Sequence, residues 1–157
     1  MHELSTGLAP FTTTLYPAKP TMMIHNRPQM PCEKHFERQC GRLHLRLDLY
    51  AQGADWLALL RGGAPHIGAT ALGLPPVERH AAAAFPAPLG RPGHREAALA
   101  QQVAYRLAEA GESAVCCCAG IHYEAITAEE IDLVLRLVKE LTEEAARQLR
   151  HDRLARP

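Results

Sequence analysis

Between Arg42 and Leu49 the chain alternates without a slip. Leu43, Leu45, Leu47 and Leu49 fall on one parity; Arg42, His44, Arg46 and Asp48 fall on the other. Successive side chains of a strand point to opposite sides of the pleat, so a two-residue period gives one apolar face and one wet face. One such strand cannot hide four leucines by itself. It needs partner strands beside it and a layer above it. The polar parity reads as solvated, His44 and Asp48 included.

The neighbours supply both. Ala51–Asp55 has the glycine and the length of a hairpin loop. Trp56–Leu60 shows no alternation and reads as a central strand covered on both faces. That strand ends at Arg61, and another runs from Ala69 to Leu74. Between them lies Arg61-Gly-Gly-Ala-Pro-His-Ile-Gly68. Gly62 and Gly63 permit approaches that a Cβ would forbid, and Pro65 biases Ala64 toward extended backbone. His66 is thereby held on a short loop. Two readings stay open: a tight strand-to-strand connection, or an anion nest made by its free N–H groups.

Pro75-Pro76 stops the next strand, and residues 77–92 read as a long alanine- and proline-rich connection that covers or gates something. A helix is expected to start near His94, with Leu99, Val103 and Leu107 as its stripe and Gly111 as its stop. Ser113–Ala119 reads as a short, fully buried strand that Gly120 breaks, with His122 just beyond. Its Cys116-Cys117-Cys118 behave as small hydrophobes, Cys117 pointing opposite to the other two. Thr127-Ala-Glu-Glu130 is a capping box, flanked by Ile126 and Ile131 as a staple. Ile131, Val134, Val138, Leu141, Ala145 and Leu149 then mark one face of a long helix. Residues 151–157 read as a frayed tail.

Residues 1–40 read as a poorly structured extension or arm, because Pro10, Pro17, Pro20, Pro28 and Pro31 interrupt every helix. Thr12–Tyr16 is a short edge-strand candidate. Cys32, His35 and Cys40 lack the paired knuckles of a zinc site. The resulting order is β-β-β-α-β-α. It gives a two-layer α/β (α+β) sandwich with a mostly antiparallel sheet and the helices on one face. The direction of the fourth strand stays open.

Composition narrows the function. Lys+Arg 17 against Asp+Glu 17 leaves a formal charge of +0 and no electrostatic case for nucleic acid or a membrane surface. No run approaches the roughly 20 apolar residues of a membrane span. No signal peptide is expected, and five cysteines, three of them adjacent, fit a reducing cytoplasm. There is no GxSxG elbow and no telling Cys–His spacing, so turnover by this chain alone is not expected and no catalytic residue is assigned.

Three segments read together carry a resemblance. They are Gly62-Gly-Ala-Pro-His-Ile-Gly68, His94-Arg95-Glu96, and Ala119-Gly-Ile-His-Tyr-Glu-Ala-Ile-Thr127 running into a long helix. Over about residues 41–150 the chain resembles the prenylated-flavin chaperone family (LpdD-like domain). These are accessory subunits of gallate- or protocatechuate-type UbiD-like decarboxylases. The resemblance implies a non-catalytic chaperone that binds reduced prenylated FMN (or FMN). It would deliver the cofactor to, or mature it in, the catalytic subunit of a UbiD-type aromatic acid decarboxylase.

On this reading the cofactor-binding set is Gly62, Gly63, Pro65, His66, Gly68, His94, Arg95, Gly120 and His122. Free N–H groups at Gly62, Gly63 and Gly68, or the helix start near His94 and Arg95, would hold the phosphate. Two alternatives remain. His66, His94 and His122 could ligate a metal in a small enzyme, or the chain could be a purely structural decarboxylase subunit. The uncovered sheet face, with Leu57 and Leu59, suggests a homodimer, the N-terminal arm reaching across.

Overall fold

The computed structural model describes residues 33–81 and 86–155, so the expectations for Thr12–Tyr16 and Cys32 lie outside the described residues. The elements follow the order β1 (Lys34–Cys40), β2 (Leu43–Gln52), β3 (Asp55–Gly63), β4 (Ala69–Gly73), α1 (Pro76–Ala81), β5 (Leu89–Gly90), α2 (Ala97–Gly111), β6 (Val115–His122) and α3 (Ala128–Leu154). Six strands form one sheet in the order β1-β2-β3-β6-β4-β5. Every pair is antiparallel except β3 with β6, which is parallel. The open question about the fourth expected strand is thus answered: β6 runs parallel to β3 and antiparallel to β4.

The leucine parity of β2 does what its period requires. Leu43, Leu45, Leu47 and Leu49 are buried under the helices together with Trp56, Ala58 and Leu60 of β3 and Val115, Cys117 and Ala119 of β6. The loop from β2 to β3 is tighter than expected, since Gln52 already pairs with Asp55. Gly53 sits at φ +66, a left-handed value that glycine adopts without Cβ strain.

The two long helices cover one face. α2 lies on β4 and β6, and α3 lies on β1 and β2. α2 comes so close to β4 that a Cβ at Gly73 would stand 2.2 Å from the Ala104 carbonyl oxygen. Small residues make that approach possible: Ala100, Ala104 and Ala108 are buried against the sheet beside Val103 and Leu107. The Thr127 cap forms as expected. The Glu130 N–H donates to Thr127 Oγ1, and the Thr127 N–H donates to the Glu130 carboxylate.

Several expectations are corrected. The sheet begins at Lys34, inside the stretch 1–40 expected to be poorly structured, because β1 pairs along β2 from Lys34↔Leu49 to Cys40↔Leu43. Lys34 and Arg38 then reach α3, at Asp152 and at Glu140 and Glu144. β3 is central but not covered on both faces; Leu57 and Leu59 are only half-buried on the side away from the helices. Gly120 does not end β6, which continues to His122. The connection after β4 contains α1 and β5, residues 82–85 lying outside the described range. α3 runs on to Leu154, with Asp152 and Arg153 bonded to Lys34 and Glu112.

Asp48 corrects the solvated reading of its parity. It is 1% exposed. Its carboxylate accepts from Arg61 on β3 and meets the His35 ring on β1. A carboxylate is tolerated in such a place only when paired and hydrogen-bonded.

Candidate functional site

β3 and β6, as parallel neighbours, end at the same edge of the sheet. Gly62 pairs with Ile121 and Gly63 with His122. The chain leaving β3 must bend back over β6, and three glycines set how close it comes. Gly63 has φ +62, and a Cβ there would fall 1.9 Å from the His122 carbonyl oxygen. Gly120 lies directly beneath the returning loop, its would-be Cβ 1.8 Å from the His66 carbonyl oxygen. At Gly68 the obstacle is the Glu96 carboxylate, 2.7 Å away.

This geometry revises the role of the loop amides. The Ala64 N–H donates to His122 O and the Gly68 N–H to Ala119 O. Gly62 and Gly63 belong to the β3–β6 ladder. The Gly68 amide is therefore not free to grip an anion. The glycines serve close backbone approach, and the loop is stitched onto β6.

That stitching brings the three histidines together. The His66 ring centroid lies 5.0 Å from His94 and 6.2 Å from His122. All three line one cavity of about 250 Å³ with Ala64, Pro65 and Arg91. They arrive from three segments: the β3–β4 loop, the approach to α2, and the end of β6. Among the described residues, no group of three His, Cys, Asp or Glu side chains is placed to hold a metal ion.

Hydrogen bonds orient the rings. His66 Nδ1 is 3.1 Å from the Ala64 carbonyl, so that nitrogen carries a proton. Its Nε2 is buried without a hydrogen-bond partner, 3.4 Å from Glu96 Oε1. His94 Nδ1 donates to Pro92 O at 3.1 Å, and His122 Nε2 meets Glu124 at 3.1 Å.

Two site residues escaped the sequence reading, and one expected residue is absent. Glu96 occupies the N-cap of α2 but makes no side-chain cap bond. Its carboxylate instead accepts from the Ile121 N–H and faces His66, leaving Oε2 buried without a hydrogen-bond partner. Arg91 donates through its N–H to Gly68 O and through its guanidinium to Ile67 O, and it lines the cavity. Arg95 is exposed and lines neither this cavity nor its neighbour. α2 begins at Ala97, so His94 and Arg95 lie on its approach rather than at its first turn.

A second cavity, about 280 Å³, adjoins the first across Gly63 and Pro65. Arg42, His44, Arg46, Arg61 and Tyr123 line it, so it is strongly basic. The Tyr123 hydroxyl accepts from the His44 N–H and donates to His44 O, tying the start of β2 to the segment after β6. A larger hollow of about 450 Å³ lies between α2 and α3, lined in part by Leu99 and Leu135. None of the three histidines lines it, and its Arg106 is already paired with Glu143.

Residues 39–150 match the model of the prenylated flavin chaperone LpdD-like domain. The chain belongs to that family. The match spans all three histidine-bearing segments and both cavities beside them. No curated protein matches the sequence. Among solved structures, a chain of a chaperone complex for yeast 20S proteasome assembly aligns at 11% identity and TM-score 0.39, covering 69% of this chain and 96% of that one. Nothing about function follows from so distant a likeness. In this LpdD-like chain, none of the described helices is long and apolar enough to cross a membrane.

Proposed function

We propose that this LpdD-like protein binds reduced prenylated FMN and hands it to, or matures it in, a UbiD-type aromatic acid decarboxylase in the cytoplasm. It does so without turning over a substrate of its own. The observation that carries the reading is the family match over residues 39–150, taken with the convergence of His66, His94 and His122 on one cavity inside that stretch.

The donor set fits the cofactor. Imidazole rings and the Arg91 guanidinium offer donors and flat faces to a planar ring rich in polar edges. Ligand sites generally measure roughly 300–1,000 Å³, more than either cavity alone, so a flavin would extend across Gly63 and Pro65 into the basic neighbour. The cofactor carries its own chemistry, and the protein contributes orientation and shielding. The bond from His66 Nδ1 to Ala64 O fixes its ring beside Glu96.

The uncovered face of the sheet, with Leu57, Leu59, Cys116 and Cys118 half-buried, is the surface on which we place a second copy of the chain. Gel filtration tests the cofactor reading. Full-length protein mixed anaerobically with reduced prenylated FMN should co-elute with flavin absorbance, and His66→Ala should lose it. Elution of the wild-type chain free of flavin would overturn the reading.

A further inference from the structure

We propose that Arg46 and Arg61 form a phosphomonoester subsite that holds the phosphate of the flavin. The proposal rests on the chaperone reading and assigns one end of its ligand. Arg46 and Arg61 are register partners, directly opposite each other on β2 and β3. Like charges in that position destabilise a sheet. On β1 the register partner of Arg46 is Glu37, but that carboxylate meets His35 and His44 instead. Asp48, buried beside them, takes Arg61. The Arg46 side chain makes no hydrogen bond or ion pair with any described residue.

The neighbouring cations are already committed. Arg42 is held bidentate by Glu130, and His44 lies 3.2 Å from Glu37. What lines the cavity without a carboxylate partner is the Arg46 guanidinium, and beside it Arg61 keeps a buried Nε–H with no partner. A solvated arginine would account for Arg46 alone. It does not account for a second guanidinium set opposite it with a donor buried and unused. A dianionic phosphate answers both, because its oxygens accept from two guanidinium groups at once.

The place also suits the reach of the ligand. The basic cavity shares Pro65 with the histidine cavity, so a ring lodged among the histidines would have the cavity that Arg46 lines next to it for its side chain. This assignment moves the phosphate away from the Gly68 amide, which is engaged with Ala119 O.

The test compares reduced prenylated FMN with its dephosphorylated riboflavin counterpart, anaerobically, on the full chain and on Arg46→Met. Arg46 is exposed, so the variant should fold. Relief of the Arg46–Arg61 repulsion should leave its phosphate-free Tm unchanged or slightly raised. We expect the wild type to prefer the phosphorylated form by about tenfold or more, the scale of one lost charge-assisted hydrogen bond. Arg46→Met should erase that preference while binding the dephosphorylated form as the wild type does. Inorganic phosphate should compete with reduced prenylated FMN in the wild type and not in Arg46→Met.

Equal affinity of the wild type for both forms overturns the subsite and leaves the chaperone reading standing. So does equal weakening of both forms by Arg46→Met. If neither form binds, the chaperone reading falls. Titration of inorganic phosphate, followed by 31P line broadening, then decides the subsite: broadening abolished by Arg46→Met supports it, and broadening indifferent to Arg46 overturns it.

Discussion

The carbonyl oxygen of His66 occupies the space that a side chain on residue 120 would need. An ideal Cβ on Gly120 would lie 1.8 Å from that oxygen and 2.7 Å from its carbon. Backbone cannot yield as a flexible side chain does, so Gly120→Ala must push the loop off β6. The overpacking should cost about 1–3 kcal/mol, a fall of about 2–4 °C in Tm for each kcal/mol. Flavin binding should fall far more than stability, because His66 leaves His94 and His122. Retained binding in a folded Gly120→Ala protein would separate the loop from the site.

The start of α3 should make stability depend on acidity. The Arg42 guanidinium first, and the Thr127 N–H second, hold the Glu130 carboxyl down to about 2. A carboxyl lowered by folding contributes fully above its unfolded value, roughly 4.3, and the contribution vanishes as pH falls through the folded value. Glu143 beside Arg106 and Asp152 beside Lys34 are lowered too, so they act in the same direction. Urea unfolding of the wild type and Glu130→Gln should therefore differ at pH 7 and converge between about pH 4.3 and 2. A gap unchanged across that window would remove Glu130 from the balance.

Asp48 should prove structural. Asp48→Asn withdraws the charge that answers Arg61 and His35 at a buried position. The expected loss is about 1–3 kcal/mol, kept modest because the Arg61 side chain is 37% exposed. Adding Arg61→Met should recover part of it, since the guanidinium that had lost its carboxylate is then gone. Chemical denaturation of the single and double variants measures the coupling, and strict additivity would contradict it.

The thiols should divide by position. Cys117 faces the core, and burial pushes its thiol well above the usual range, while burial raises Cys116 less. Cys40 is exposed. Native maleimide labelling, mapped by mass spectrometry, should modify Cys40 early and Cys117 only in denaturant. Native labelling of Cys117 would mean that β6 opens without global unfolding.

The parts legible in sequence were those governed by local rules. The leucine parity of β2, the Thr127–Glu130 box and the opposed placement of Cys117 depend on neighbours within a few residues, and each is present in the fold. The gathering of His66, His94 and His122 was legible only through the family pattern, since each lies 28 residues from the next in sequence. Asp48 was misread because alternation reports a face, not its cover; Arg61 and His35 arrive from other strands. Glu96 stood in the sequence only as part of the His94-Arg95-Glu96 segment, with no role of its own. Its role exists only once Gly68 and Ile121 come within its reach.

The lone parallel pair at the middle of the sheet has a further consequence. Because β3 and β6 discharge their following segments from the same rim, inserted or deleted residues after Gly63 or after His122 would reshape the mouth while the leucine layer stayed untouched. Such an architecture confines changes of loop length to the rim, with the scaffold beneath held constant.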